Sequence, residues 1–443
     1  MIASAGYTKR EQRAWYFYDF ANSAFSSTVV TLFLGPYLTS IAKSAADARG
    51  YIYPLGVPVD ARSYWGYLIS LSVITQVIFL PILGAIADYS PRKKHLFATC
   101  AYLGAFATIS MYFLDGGEYL FGGALFLIAN LSFGASIVLY NSYLPQIASV
   151  EERDDVSSKG WGIGYLGGGV LLALNLLLYQ NAARLGITGG EAVRINLASA
   201  GVWWALWSII PMLGLRPHSP LHQRQPGRSY VAVGFEQLAR TFRDMRHYPR
   251  TLTFLLAYLL YNDAIQAVIT LASQFGNDEL KIPLSTMTIV ILMVQFVAFA
   301  GAFCFNWIAG AIGAKRSVMF ALVIWTLVIV SIYGWVKTTA QFFIMAAIVG
   351  MVMGGSQALS RSLYSLMIPK GKEAEYFSLY EISDKGTSWM APLIFALALQ
   401  FTHSYRLAIL SLIVFFVLGL LVLSRVDVRR AAIEAGNEGP GDS

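Results

Sequence analysis

The chain has 443 residues with 32 Lys and Arg against 25 Asp and Glu, a charged share of 13%, about half that of an ordinary soluble domain. With 56% apolar residues and a mean hydropathy of +0.56, a water-soluble fold would need too large an interior, and disordered or collagen-like chains are excluded as well. The net charge of +7 is scattered between apolar runs with no basic tract or stripe, which argues against nucleic acid as a partner.

A window of about 19 residues finds apolar runs long enough for a hydrocarbon core roughly 30 Å thick. There are twelve, at 15–41, 63–86, 95–114, 119–142, 159–181, 195–215, 251–275, 284–309, 316–336, 340–367, 377–401 and 404–424. Backbone at that depth can satisfy itself within one segment only as helix, so an all-α membrane protein with twelve transmembrane helices is predicted. Lys9, Arg10 and Arg13 before the first run and Ala46-Asp47-Ala48 after it outline a cleavable signal peptide. The run is too long for one and is interrupted by Asp19 and Asn22, so it reads as a retained helix. Further along, Cys100 and Cys304 sit inside apolar runs, without disulfide or metal-site spacing.

Residues 216–250 form the one long polar interruption, with Pro217, Pro220, Pro226, Gly227 and seven arginines. This composition predicts a linker between six helices and six. Within it Phe235, Leu238 and Phe242 fall at helical spacing, as in a segment lying on the bilayer surface over Phe235–Met245. Placing the N-terminus inside puts 24 of the 32 Lys and Arg on the inner side, so both termini are expected in the cytoplasm. The predicted organisation is a six-helix bundle over 1–215, a cytoplasmic linker over 216–250, a second bundle over 251–430 and a polar tail over 431–443.

The two halves repeat each other. After the fourth run come Leu144-Pro145, Glu151-Glu152 and Asp155-Val156-Ser157-Ser158-Lys159-Gly160. After the tenth come Ile368-Pro369, Glu373 and Glu375, and Glu381-Ile382-Ser383-Asp384-Lys385-Gly386. The offset is 224 at the prolines and 226 at the lysines, and equal orientation implies two parallel six-helix repeats. A weaker pairing sets Asp19-x-x-Asn22 against Asp263-x-x-Gln266.

Between the second and third runs stands Gly84-Ala-Ile-Ala-Asp88-Tyr89-Ser90-Pro91-Arg92-Lys93-Lys94. It resembles the cytoplasmic signature of the major facilitator superfamily, Gly-x-x-x-Asp-(Arg/Lys)-x-Gly-(Arg/Lys)-(Arg/Lys), departing from it at Tyr89 and Pro91. Gly84 permits close helix approach, and Asp88 can take a helix N-terminus or an arginine. In the second half Gly310-Ala-Ile-Gly313-Ala-Lys315-Arg316 keeps the basic pair without the aspartate. The resemblance implies a cytoplasmic gate latch at Asp88 and Arg92; the plainer reading is a topological anchor. Three further stretches are similar to the family of the autophagy-linked vacuolar amino-acid effluxer and its bacterial relatives. They are Trp15-Tyr-Phe-Tyr-Asp19-Phe-Ala-Asn22-Ser23-Ala-Phe25, Tyr261-Asn262-Asp263-x-Ile265-Gln266, and Gly354-Gly355-Ser-Gln357-Ala-Leu-Ser360-Arg361-Ser362 with Ile368-Pro369-Lys370-Gly371-Lys372-Glu373-Ala-Glu375. This resemblance implies transport, with amino-acid efflux attributed to fungal vacuolar members.

Ionisable groups inside a span are functional-site candidates because an unpaired charge there costs several kcal/mol, roughly 2.5 or more. Asp19 with Asn22, and Asp263 with Gln266, make polar strips on single helix faces that would line a cavity or bond between helices. A carboxyl so placed can take up and release a proton during transport. Gln357 and Arg361 share a face one turn apart; the arginine suits a substrate carboxylate or, equally, Glu381 or Asp384. Lys159 and Lys385 are expected to begin the fifth and eleventh helices beside Asp155, Glu381 and Asp384 as inner-gate ion pairs, or to snorkel at the interface.

Gly162-x-Gly164-x-x-Gly167 spells a dinucleotide fingerprint but lies in an apolar helix with no preceding strand, so close helix packing accounts for it. The wider Gly160-x-x-x-Gly164-Tyr165-x-x-Gly168-Gly169 resembles the fifth-helix antiporter signature of drug exporters, with Tyr165 in place of its proline. No catalytic, metal or cofactor constellation stands out, so no enzyme is expected. The reading is a monomeric carrier in a bacterial cytoplasmic membrane, alternating access to a cavity between its halves. It would export an amino acid or similar zwitterion, facilitatively or linked to protons. The alternative is a proton-coupled antiporter of drugs or amphiphiles, favoured by the 14% aromatic content.

Overall fold

Long apolar runs leave their backbone groups no partner but each other, and the computed structural model of the chain winds them into helices. It describes residues 9–61, 64–217, 243, 245–385, 390–391, 394–395, 398, 402 and 404–437. The first half comprises α1 (Lys9–Ser44), α2 (Tyr64–Tyr89), α3 (Lys93–Ser110), α4 (Tyr119–Asn141), α5 (Arg153–Gln180) and α6 (Gly189–Gly214). Next come α7 (Pro249–Asp278), α8 (Leu284–Ile312), α9 (Ala314–Gly334), α10 (Thr339–Leu366), α11 (Glu373–Lys385), α12 (Tyr405–Ser424) and α13 (Val428–Glu434). Among the described residues, eleven helices are long and apolar enough to cross a membrane. Of the eleventh predicted run, 377–401, only α11 and a few later positions are described; the segment Phe235–Met245 lies almost wholly outside the described residues.

Several boundaries differ from expectation for local reasons. The fifth helix begins at Arg153 and not at Lys159, because Asp154 and Asp155 suit the positive end of a helix and extend it by more than a turn. Pro249 starts α7, where its fixed φ and missing N–H cost nothing. The middle of α1, Phe25–Phe33, is wound as π-helix. The loop after α1 holds a short antiparallel hairpin, β1 (Tyr51–Ile52) with β2 (Val59–Asp60), in an otherwise helical fold. Asp47 braces it. Its carboxylate accepts from the Tyr51 and Arg49 amides and the Tyr53 hydroxyl, bonds that hold its pKa below the usual carboxylate range. The tail read as polar is folded at its start: α13 buries Ala431 and Ala432. Glu434 there pairs with Arg250, and Asn437 Nδ2 donates to the carbonyls of Leu366 and Ile368 at the end of α10.

Buried side chains form two hydrophobic clusters. One is drawn from Trp15 to Leu215 plus Ala374, the other from Phe254 to Ala431 plus Tyr165. Glycines set the closest helix approaches. A methyl on Gly354 of α10 would stand 2.1 Å from the Ala298 carbonyl oxygen of α8, and one on Gly301 of α8 would stand 2.3 Å from the Met351 carbonyl oxygen of α10. Backbone cannot yield as a flexible side chain does, so Gly354→Ala should destabilise by about 1–3 kcal/mol. The measurement is an apparent melting temperature in detergent, with Gly310→Ala, where a methyl meets nothing within 4 Å, as the control expected to match the parent.

Candidate functional site

The site is built at one end of the bundle, where α1, α4, α5 and α10 converge. Trp15 and Asp19 lie one turn apart on α1; Tyr140 and Asn141 end α4; Ser157 and Trp161 lie one turn apart near the start of α5. Arg361 reaches into this group from α10 and is 2% exposed, with Asp19 at 7%. Its Nη1 donates to Asp19 Oδ2 at 3.0 Å and to Asn141 Oδ1 at 3.4 Å, its Nε to Ser157 Oγ at 2.9 Å and its Nη2 to the Ser157 carbonyl at 2.8 Å. Trp15, Trp161 and Tyr140 present ring faces to the guanidinium at 4.8, 5.3 and 5.7 Å. Tyr140 donates its hydroxyl to Asp19 Oδ2 at 2.7 Å. Space for the pair depends on Gly160, where a methyl would stand 2.9 Å from both Arg361 Nη2 and Asp19 Oδ2.

Around this pair the two clusters are tied by further bonds. Arg153 Nη1 donates to the Ser365 carbonyl at 2.8 Å and Ser157 Oγ to the Ala358 carbonyl at 2.7 Å. Ser362 Oγ donates to Asp154 Oδ1 at 2.5 Å, Asn306 Nδ2 to Asp155 Oδ1 at 3.2 Å, and Tyr165 Oη to Gln357 Oε1. At the end of α2, Asp88 accepts the backbone N–H groups of Ala374 at 3.0 Å and Glu375 at 2.9 Å, capping α11 from another helix. Gly84 lies one turn before it, where a methyl would meet the Ala374 carbonyl oxygen at 2.6 Å. The bonds just named all lie towards the same end.

The remaining predicted residues fall into place unequally. Arg361 pairs with Asp19, and Glu381 accepts from Asn141 Nδ2 at 3.2 Å. The side chains of Asp384 and Lys385 lie outside the described residues. Lys159 pairs with Asp155 one turn before it on its own helix, both about 40% exposed, so this bridge joins no two helices. Arg92 is exposed, and the buried member of its basic cluster is Lys93, whose Nζ faces the Tyr143 ring at 5.1 Å. Asp263 is buried, accepting the Ala391 amide on Oδ2 at 2.8 Å, and among the described residues Oδ1 has no hydrogen-bond partner. Gln266 is half-buried, and Asn22 is buried one turn beyond Asp19. Trp15, Tyr140, Asn141, Ser157 and Trp161 were not singled out from the sequence. Tyr140 carried a signal, because Tyr364 repeats it at the same offset of 224 as the prolines.

The family described as "Vacuole effluxer Atg22 like" matches residues 7–436. The uncharacterized MFS-type transporter YxiO of Bacillus subtilis is 30% identical over 426 residues, covering 95% of each chain. Autophagy-related protein 22 of Eremothecium gossypii is 26% identical, over 97% of this chain and 93% of its own. Among solved structures, the proton:xylose symporter XylE superposes with a TM-score of 0.71 at 12% identity, over 94% of this chain and 95% of its own. A bacterial homologue of the iron transporter ferroportin, in an outward-facing state, superposes at 0.68 with 13% identity, over 94% and 99%. At such identities these two likenesses are of fold.

Hydrogen bonds to a charged group contribute about 1.5–3 kcal/mol each, so Asp88→Ala should loosen this end. With Cys100 and Cys304 replaced by Ser, a cysteine at Ser365, 1% exposed, should react with a permeant maleimide about tenfold faster or more in the Asp88→Ala background. Arg92→Ala should leave that rate unchanged. Equal rates in all three proteins would remove Asp88 from the latch.

Proposed function

The chain belongs to the vacuole effluxer Atg22-like family of major facilitator transporters, and on that premise we propose that it exports a small zwitterion such as an amino acid by alternating access. The observation that carries this reading is that, among the described residues, the bonds named between the two halves gather at one end. A carrier closed at one side needs such bonds there, and they must be individually weak enough to break in each cycle. Asp19, Gln357, Arg361, Asp88 and Glu381 take part in the bonds of the closed end, whereas Asp263 accepts the amide of Ala391 within the second half.

The excess of Lys and Arg on the Asp88 side supports a cytoplasmic position for that end and for both termini. On this reading the molecule is a monomer of twelve helices in two parallel halves, closed to the cytoplasm, in a bacterial cytoplasmic membrane. The Bacillus relative supports that location. Asp263 serves as the proton-exchanging group: it is buried, its Oδ2 is held by one backbone amide, and among the described residues no hydrogen bond occupies its Oδ1.

Proteoliposomes tested with radiolabelled amino acids, with and without a pH gradient, decide the reading. Flux of at least one amino acid is expected, accelerated by the gradient. Asp263→Asn should abolish that acceleration while counterflow at equal pH persists. Absence of flux for every amino acid, together with dye efflux from cells expressing the protein, would establish the amphiphile antiporter in its place.

A further inference from the structure

The groups that bond the Arg361 guanidinium, and the ring faces turned on it, come from one side. The carboxylate of Asp19, the hydroxyl and carbonyl of Ser157, the amide oxygen of Asn141 and the three ring faces all belong to α1, α4 and α5; only the guanidinium comes from α10. The receiving groups also brace one another independently of it. Trp15 Nε1 donates to the Tyr140 carbonyl at 3.0 Å, their rings stack 4.3 Å apart, and the Tyr140 hydroxyl holds Asp19. A carboxylate, further oxygen acceptors and three aromatic faces turned on one point form a receptor for an organic cation. Each of the three guanidinium nitrogens is bonded inside this cage, so Arg361 is not presented as a fork for a substrate carboxylate.

Resting on the carrier reading above, we propose that this cage is a binding site for the guanidinium or ammonium head of the transported solute, with Arg361 as its tethered competitor. With the Asp88 end closed, Arg361 fills the cage. When α10 withdraws, Asp19 would be left as an uncompensated carboxylate among aromatic rings, which is costly unless another cation replaces the guanidinium. A solute bearing a positive head supplies that replacement and favours the open end; its departure readmits Arg361. A solute bearing only an anionic head has no partner there.

A competitor and a ligand-binding residue respond oppositely to removal, and this decides the proposal. In the purified full chain, Arg361→Ala should bind agmatine at least tenfold more tightly than the parent, read by isothermal titration. Agmatine should also raise the variant's melting temperature, while citrulline, of similar shape but without the charged guanidinium, should not. Adding Asp19→Asn to Arg361→Ala should abolish agmatine binding. If Arg361→Ala does not fold, Trp161→Leu, which removes one face of the cage from a half-buried position, should weaken agmatine binding at least threefold. Weaker agmatine binding by Arg361→Ala, or equal binding of citrulline, overturns the proposal. Counterflow in proteoliposomes separates it from the carrier reading. Flux of neutral amino acids by a protein that binds no cationic solute would sink the cage proposal alone. Tight agmatine binding without flux of any solute would sink the carrier reading.

Discussion

A guanidinium cannot be left alone in a medium of low dielectric constant, and the structure at its closed end is organised around that constraint. Moving an ion of this kind out of water costs several kcal/mol even after the protein relaxes, roughly what a buried pair recovers only when its geometry is good and its other donors are bonded. Arg361 meets those conditions with groups from three helices of the opposite cluster. Such a pair is weak evidence for stability, because well-packed apolar residues could hold the helices together as well. It is stronger evidence for a contact that must be unmade, because its free energy depends on what replaces the lost partner.

Close approach of backbones makes the charge chemistry feasible. Gly160 leaves the volume in which the guanidinium and carboxylate meet, and Gly164 sits against the Cβ of Asp19 at a distance a methyl would cut to 3.1 Å. On the other face of the same helix, a methyl on Gly162 would meet the ring of Phe303 on α8 at 2.6 Å. The glycines of α5 thus let one helix touch both clusters. A dinucleotide site requires a strand before the glycines, and here Tyr143, a four-residue helical turn and a loop precede them.

Much of the architecture was legible because the membrane restricts the possible answers. Length and hydropathy located the spans, and the polarity of the loops located their ends. The capping contact of Asp88 was legible too, since an acid after a glycine at a helix end suits the N-terminus of another helix. Pairing was not. Arg361 was weighed against Glu381 and Asp384, neighbours in the repeat, whereas its partner Asp19 lies 342 residues away in sequence. Nothing local in a sequence encodes which helices meet, and aromatic residues such as Trp15 and Trp161 look like any others in an apolar run. Their role exists only once three helices converge on a cation. Lys159 failed differently: its partner Asp155 was named, but an i,i+4 pair on one helix is satisfied locally and joins nothing across the clusters.

The two halves close this end asymmetrically despite their repetition. In the first half the end of α2 reaches across through Asp88, while the equivalent junction between α8 and α9 lacks an acid. There Lys315 Nζ donates to the Ser424 carbonyl at the end of α12, within the same cluster. Most of the crossing bonds therefore join two continuous stretches, 141–165 and 357–381, which include the junctions between α4 and α5 and between α10 and α11. The internal repeat relates those same junctions. Among the described residues three contributors named above lie outside them: Asn306 binds the first stretch, and Asp19 and Asp88 bind the second. A displacement of that one stretch by a few ångströms would break the ion pair and the α11 cap together. Charge compensation at Arg361 and capping at Asp88 are thus mechanically linked through a single segment.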